Sequence, residues 1–386
     1  MKSYLISLLM LSVMLVACSH DDGDSLTTQN VETALDFSAV VTDHTRGASI
    51  NNQALTQIGR FRVWAWRQAT GGDEEPMISD FNSNPLYGVD VTYSALLGRW
   101  RTAERYYWPS VDYRVDFYAA CPPYDEVFDP DTKSFPDVTV SGNEDIIFAT
   151  YSGQRQKGEL EDVKNVPIEF KHALAQVAFS AKLSSQSPFQ TTFLWTIEVG
   201  QITIHNVKSK GVFKYPKPSD NTQSYGWTPA AVYADYTLAS ASTGAVIVSS
   251  TTDAVALTSA TDVTMLMPQT LTAWIPAWED ATNGTTITDN NNAADKGCYL
   301  DIQVRIKDQD GNYVLGASDF VHVYTPFAAI WTLNTRYRYT LIFGAGYDDQ
   351  GNPFVQPVGI EATIEPWQTD NTSERTGTAN HTKNTN

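Results

Sequence analysis

Val166–Leu183 reads VPIEFKHALAQVAFSAKL, and its apolar spacing decides the fold class. Val166, Ile168 and Phe170 alternate with Pro167, Glu169 and Lys171; further on, Val177 and Phe179 alternate with Ala178 and Ser180. Successive side chains of a strand point to opposite faces of its sheet, so a period of two marks strands with one buried face. His172 stands between the two runs, and no second His or Cys lies at ligand spacing. The expectation is a buried or half-buried ring at a crossover, satisfied by a backbone carbonyl, with no metal role. The composition changes here, from an aromatic-rich segment broken by polar loops to one rich in Ser, Thr and Val. The stretch is therefore read as the seam between two β-rich halves.

The chain has 386 residues, which makes two domains the natural division. A net charge of −18 repels phosphate backbones and anionic headgroups, so no nucleic-acid partner is expected. The hydrophobic share, 42%, is enough for real cores, which excludes a disordered chain. Gly-x-Ser-x-Gly, His-Glu-x-x-His, a phosphate-binding Gly loop and Cys-x-x-Cys are all missing. Acidic pairs such as Glu74 and Glu75 are read as loop residues. The expectation is a protein that is not an enzyme and takes neither cofactor nor metal. Cys121 and Cys298 fall in different halves and read as free, buried thiols.

Upstream of the seam, Val31–Val41 is a strong strand. Val31, Thr33, Leu35, Phe37, Ala39 and Val41 share one face, against Glu32, Asp36 and Ser38 on the other. Burying Leu35, Phe37 and Val41 contributes roughly 1.5 to 3 kcal/mol each, so losing this strand would open an apolar groove. Residues 42–48 follow as a polar, Gly-containing connection open to proteolysis, in which Arg46 is either an ordinary surface Arg of a loop or a point where a trypsin-like enzyme could cut. Phe61–Trp66, Tyr106–Pro109, Tyr113–Ala120 and Asp145–Ala149 continue as short strands without a convincing amphipathic helix.

Downstream, Phe193–Ile204 holds two alternating runs broken at Gly200-Gln201, and Ile204–Phe213 contains a Gly that suggests a turn or bulge. Ala245–Val248, Val263–Met267 and Tyr299–Ile306 read as strands, Asp308–Gly311 as a hairpin turn into Tyr313-Val314, and Tyr337–Phe343 as a late core strand. In the last run, Val358, Ile360, Ala362 and Ile364 alternate with Gly359, Glu361, Thr363 and Glu365, mirroring Val31–Val41; the run reads either as an ordinary closing strand of the second domain or as one that could substitute for Val31–Val41 in a groove. The resulting fold class is all-β: two β-sandwich domains (transthyretin-like, Greek-key) in tandem, over 31–170 and 171–367, with a polar tail at 368–386.

At the N-terminus, Lys2 precedes an apolar run from Tyr4 to Ala17, suited to a signal peptide and short for a bilayer span. Its ending, Leu15-Val16-Ala17-Cys18, resembles the lipobox of bacterial lipoproteins. That resemblance implies removal of residues 1–17 and acylation of Cys18, and several acyl chains at about 0.8 kcal/mol per buried CH₂ tether a protein stably to the outer membrane. Residues 18–30 are then a tether. Its Ser19–Asp24 patch either resembles the acidic surface-export signal of Bacteroidales lipoproteins or is a solvated linker.

Taken in order, the lipobox, Thr45–Ala48, Tyr107-Trp108-Pro109 with Val115–Ala119, Asp145–Ile147, Val166–Val177 around Phe170–Leu174, Ile204–Gly211 and Met267-Pro268-Gln269 resemble the Bacteroidales fimbrillin family. Cys121 and the polar tail depart from its pattern. The resemblance implies a structural or accessory subunit of type V pili with a role in adhesion, located in the fimbrium at the cell surface. It further implies an Arg-specific protease that cuts between Arg46 and Gly47. The first strand (Val31, Leu35, Phe37, Ala39, Val41) then leaves, and the C-terminal strand (Val358, Ile360, Ala362, Ile364) of another fimbrial subunit fills its place by strand addition. Two alternatives stay open: a glycan-binding surface lipoprotein using Trp64, Trp66, Trp274 or Trp278, and a fimbrial anchor that keeps its lipid and is never cut.

Overall fold

Strand β1 (Ala34–Val41) lies parallel to β9 (Val163–His172), so the first and last strands of the first half are neighbours. Between them run α1 (Asn52–Ile58), β2 (Arg60–Ala69), β3 (Glu74–Ile78), β4 (Val89–Ser94), β5 (Arg99–Thr102), β6 (Tyr113–Cys121), β7 (Ser134–Thr139) and β8 (Ile147–Gln154). The computed structural model describes residues 33–42, 49–78, 88–123, 127–155, 163–185, 195–220, 222–240, 245–258, 264–274, 297–317, 319–343, 346–347, 353–354 and 357–365. Cys18, Val31, Arg46, Gly47, Trp278 and the polar tail lie outside them.

The sheet order is β3-β2-β4-β5-β1-β9-β8-β6, and β6 returns to β2 from Arg62↔Ala120 through Ala69↔Tyr113. The sheet thus closes into a barrel-like ring where a sandwich was expected. The cause is the 10-residue β2, long enough to carry β4 and then β3 on one edge while β6 takes the other. Inside the ring sit Phe37, Phe61, Trp100, Phe117, Ile168 and Phe170. Glu74 and Glu75 lie on β3 rather than in a loop, and Tyr106–Pro109 forms no named strand but meets β1 at the isolated bridge Ala34↔Tyr107.

Helix α1 was not expected. At 7 residues it is too short to show a clear helical period, and its caps are the stronger signal. Asn51 caps it by accepting from the Ala54 N–H, and Gly59 closes it at φ 72°, a left-handed conformation that favours glycine.

The second half contributes β10 (Ala175–Leu183), β11 (Thr196–Lys208), β12 (Lys210–Lys214), β13 (Gly226–Pro229), β14 (Tyr233–Ser240), β15 (Val246–Val248), β16 (Val255–Ala256), β17 (Thr264–Leu266) and β18 (Thr270–Leu271). After these come β19 (Tyr299–Lys307), β20 (Tyr313–Leu315), β21 (Val321–Pro326), β22 (Ala329–Ile330), β23 (Thr335–Phe343), β24 (Gly346–Tyr347), β25 (Pro353–Phe354) and β26 (Pro357–Glu365). One sheet runs β16-β10-β23-β26 with β17 also on β10; the other runs β14-β11-β19-β20 with β15 on β11 and β21 on β19. Val177, Phe179, Leu341 and Phe343 of the first share a core with Ile202, Ile204, Leu300 and Ile302 of the second. The break expected at Gly200-Gln201 is a register shift inside the continuous β11. The Asp308–Gly311 turn forms as read, with Asp308 Oδ1 accepting from the Asp310 and Asn312 N–H groups.

A third core belongs to both halves. Trp64, Trp66, Tyr118 and Phe148 of the ring pack with Phe213, Tyr215, Met265 and Met267, and β7 pairs with β12 in a three-stranded sheet with β13. Tyr215 donates its hydroxyl to the Ala119 carbonyl at 3.0 Å. β2 and β6 are therefore buried on both faces, which explains their near-continuous apolar runs and removes Trp64 and Trp66 as surface glycan platforms. Cys121 and Cys298 are free and buried; burial pushes the Cys121 thiol up to about 12, so it stays protonated and unreactive.

Candidate functional site: the first strand and its seam

The alternation of β1 translates directly into burial. Leu35, Phe37 and Val41 point into the ring, Ala39 is half-buried, and Ser38 and Val40 are exposed. Phe37 meets Phe61 at 6.3 Å and Phe117 at 6.4 Å, both edge to face, a favoured aromatic geometry. Thr33, the first described residue, is also buried.

The two edges of β1 are held unequally. All eight residues pair with β9, from Ala34↔Val163 to Val41↔Phe170. Toward β5 the register is the single pair Phe37↔Trp100, supplemented by the Ala34↔Tyr107 bridge, in which the Leu35 N–H donates to the Tyr106 carbonyl and the Trp108 N–H to the Thr33 carbonyl, each at 2.8 Å. A cleft opens on each side of that pair. The larger, of about 720 Å³, lies along Ser38–Val40 and is walled by Tyr93, Leu97, Gly98 and Asn52. The smaller, of about 270 Å³, lies beside Ala34–Asp36 and is rimmed by Arg99, Arg101 and Arg105. On the outer face Arg99 reaches Asp36 at 3.3 Å.

Both flanks of residues 43–48 are fastened to the body. On the near side, Asn52 Oδ1 accepts the Val41 N–H at 2.7 Å and the Phe170 carbonyl accepts the Thr42 N–H at 3.1 Å. On the far side, Asp145 Oδ2 accepts the Ile50 N–H at 2.8 Å. The same oxygen is 2.7 Å from His172 Nδ1, with both side chains fully buried. His172 is thus at the crossover as expected, but its ring partner is a carboxylate where a backbone carbonyl was anticipated. Asp145 Oδ2 thus takes both the Ile50 amide and the imidazole, while its Oδ1 is buried without a hydrogen-bond partner among the described residues. His172 N–H also donates to Asn334 Oδ1 at 3.1 Å, tying the crossover to the start of β23.

At the other end of the chain, β26 is antiparallel to β23, from Arg336↔Glu365 to Phe343↔Pro357. Ile360 packs on the core of the second half. Ala362 and Ile364 lie opposite Tyr339 and Tyr337, yet both are exposed, Ile364 by 68%. Val358 occupies its strand position beside Gly359. β1 and β26 are not neighbours in any sheet of the described residues.

Sequence reading missed Asn52, Asp145 and Trp100 as the residues that hold β1 and its outgoing connection. Trp274 is half-buried and packs on Tyr299 at 5.3 Å. Among the described residues no group of three metal-ligating side chains is assembled, and no helix is long and apolar enough to cross a membrane.

Comparison with solved structures aligns the chain with a fimbrial protein from Bacteroides vulgatus at 14% identity and a TM-score of 0.47, covering 86% of this chain and 99% of that one. A putative cell adhesion protein from Bacteroides uniformis aligns at 15% identity and 0.41, covering 88% and 99%. A third, a putative cell adhesion protein from Parabacteroides distasonis, aligns at 11% and 0.44, covering 89% and 99%. Among curated proteins no relative matches. The family model described as fimbrillin-like matches residues 45–367, and with that span the chain belongs to the fimbrillin-like family.

Proposed function

We propose that the chain is a structural or accessory subunit of cell-surface fimbriae, made as a lipoprotein precursor acylated on Cys18 and assembled by protease-triggered strand exchange. In this reading a cut between Arg46 and Gly47 frees β1, and the C-terminal strand of a neighbouring subunit, with Val358, Ile360, Ala362 and Ile364, enters the ring in its place. The observation that carries it is the unequal hold on β1: full pairing to β9, a single register pair to β5. Such a strand fills the core yet lacks a complete second ladder. Support also comes from β26, whose alternating face is only partly covered, leaving Ile364 exposed. To act as donor, β26 is released from its own β23.

Limited digestion of the leaderless protein with an Arg-specific protease, followed by N-terminal sequencing and sizing, tests this. One early cut after Arg46, loss of β1 and growth of oligomers are expected. Resistance at Arg46, or a cut with no change in size, sinks the reading and favours a permanently lipidated anchor. Of the described tryptophans named for it, the glycan-binding reading now rests on Trp274, half-buried beside the buried Tyr299. It requires saturable quenching of tryptophan fluorescence by glycan that Trp274→Ala abolishes.

A further inference from the structure

The outer face of the ring gathers positive charge beside the start of β1, in a chain whose net charge is −18. Phe61, Val91 and Trp100 turn into the core, so their neighbours on β2, β4 and β5 turn outward. Arg60 and Arg101 both lie opposite Thr92, which sets them on one row across three strands. Arg99 and Arg105 join Arg101 at the rim of the smaller cleft, beside Ala34–Asp36. All four arginines are exposed. Nearby carboxylates neutralise them only in part. Asp36 is buried against Arg99 at 3.3 Å, and Asp90 is shared by Arg60 at 3.5 Å and Arg62 at 2.9 Å. Glu104 lies on the rim, Arg105 stacks over the Tyr107 ring, and among the described residues Arg101 has no ion-pair partner.

The N-terminal chain arrives at this rim. Thr33, the first described residue, accepts the Trp108 N–H through its carbonyl at 2.8 Å, and Ala34 lines the cleft together with the arginines. Upstream of Thr33 stands Asp24, with Asp21 and Asp22 just before it. An extended chain covers at most about 3.6 Å per residue, so Asp24 can lie up to roughly 30 Å from Thr33 and has ample length to turn back onto the rim. A linker this short holds its ends at an effective concentration on the order of millimolar, so ion pairs too weak to retain a free peptide can retain a tethered one.

We propose that the rim of Arg99, Arg101 and Arg105 is the docking site for the chain's own acidic segment, Asp21-Asp22-Gly23-Asp24, folded back beside the start of β1. Sign and distance select this occupant: its carboxylates meet incompletely neutralised guanidinium groups, whose planar forks suit carboxylates. Nothing has to enter the ring, which Leu35 and Phe37 continue to fill. The inference depends on neither acylation of Cys18 nor cutting after Arg46. Where both occur it adds a consequence to each: docking shortens the free tether and draws the body toward its lipid, and cutting removes the acidic segment together with β1, leaving the rim bare on the released subunit.

The test uses the leaderless full chain beginning at Cys18, labelled there with a thiol-reactive dye and read by anisotropy. Cys121 and Cys298 are buried, which pushes both thiols up and keeps them from the dye. Docking gives a high anisotropy at about 50 mM salt that falls toward the free-tether value at about 500 mM. Arg101→Glu/Arg105→Glu, which leaves the Arg99–Asp36 pair in place, raises the free-to-docked ratio roughly tenfold. Asp21→Lys/Asp22→Lys/Asp24→Lys does the same without altering the folded body, and combining the two sets restores the high anisotropy, a recovery that misfolding cannot imitate. A free-tether anisotropy in the unaltered chain, or one insensitive to both reversals, overturns the proposal. So does recruitment of the unaltered chain to phosphatidylglycerol vesicles that frees the dye, which would assign the rim to a lipid surface. Acylation and cutting are scored separately, by the mass of the N-terminal fragment from cells; their failure leaves the docking result standing, and the reverse also holds.

Discussion

β1 and β26 are written in nearly the same pattern and live in different surroundings. Both alternate apolar and polar residues, but β1 lies inside a closed ring with Leu35, Phe37 and Val41 buried, whereas β26 is the edge of an open sheet with Ile364 exposed by 68%. Alternation tells which face a strand turns inward; it does not tell how much of that face is covered. Cover depends on how many strands the opposing layer brings, and that is fixed by pairing between distant segments. The strand that fills its core has an incomplete ladder on one side, and the strand with a complete ladder to its neighbour has an incompletely covered face.

The contrast can be broken most directly at Phe37. Phe37→Ala removes the ring packed on Phe61 and Phe117, and the expected loss is about 3–5 kcal/mol, as for other buried aromatic truncations, measured by urea unfolding. A loss below about 1 kcal/mol would mean that β1 is far less integral to the core than its burial indicates. Next in size is Asp145→Ala, which leaves the Ile50 amide and the His172 imidazole without their acceptor. Orphaning a buried donor costs about 1–3 kcal/mol, and faster hydrogen exchange at Ile50 is expected alongside; an unchanged Ile50 amide would show that the connection is held elsewhere. The smallest effect belongs to Ile364→Ala on β26, expected to change stability by no more than about 0.5 kcal/mol because the side chain is already in solvent. A large loss there would erase the comparison by showing that β26 seals its core as β1 does.

Most of the strands were legible because their residues alternate: Phe61–Trp66, Val166–Phe170 and Tyr337–Phe343 appear where period two places them. Ring closure was not, because it depends on β2 meeting β6, a pairing such as Trp64↔Tyr118 between segments far apart in sequence. Trp64 and Trp66 illustrate the same limit: their apolar character was plain, but the third core that buries them is completed by Phe213, Tyr215 and Met267 from the other half. His172 was placed correctly at a crossover and given the wrong partner, since nothing local in the sequence points from it to Asp145. The helix was short enough for its caps to carry more information than its period. At the candidate site, the inward face of β1 was readable residue by residue, while its unequal edges, Asn52 and the arginines of β5 required the fold.

The ring leaves little strand edge free apart from the loosely paired β1–β5 seam, and that changes sharply once one stave is withdrawn. Taking out β1 would bare β9 along its whole partnered length and β5 at Trp100 in one step, creating two facing templates for any passing extended chain. Unpaired edges of this kind invite irregular self-association. The precursor's first strand would then act as a built-in stopper, and the interval between its loss and its replacement would be the period in which the protein is most prone to aggregate. Cutting and joining would accordingly need to be close together in space and time, at the growing end of the assembly rather than in bulk solution.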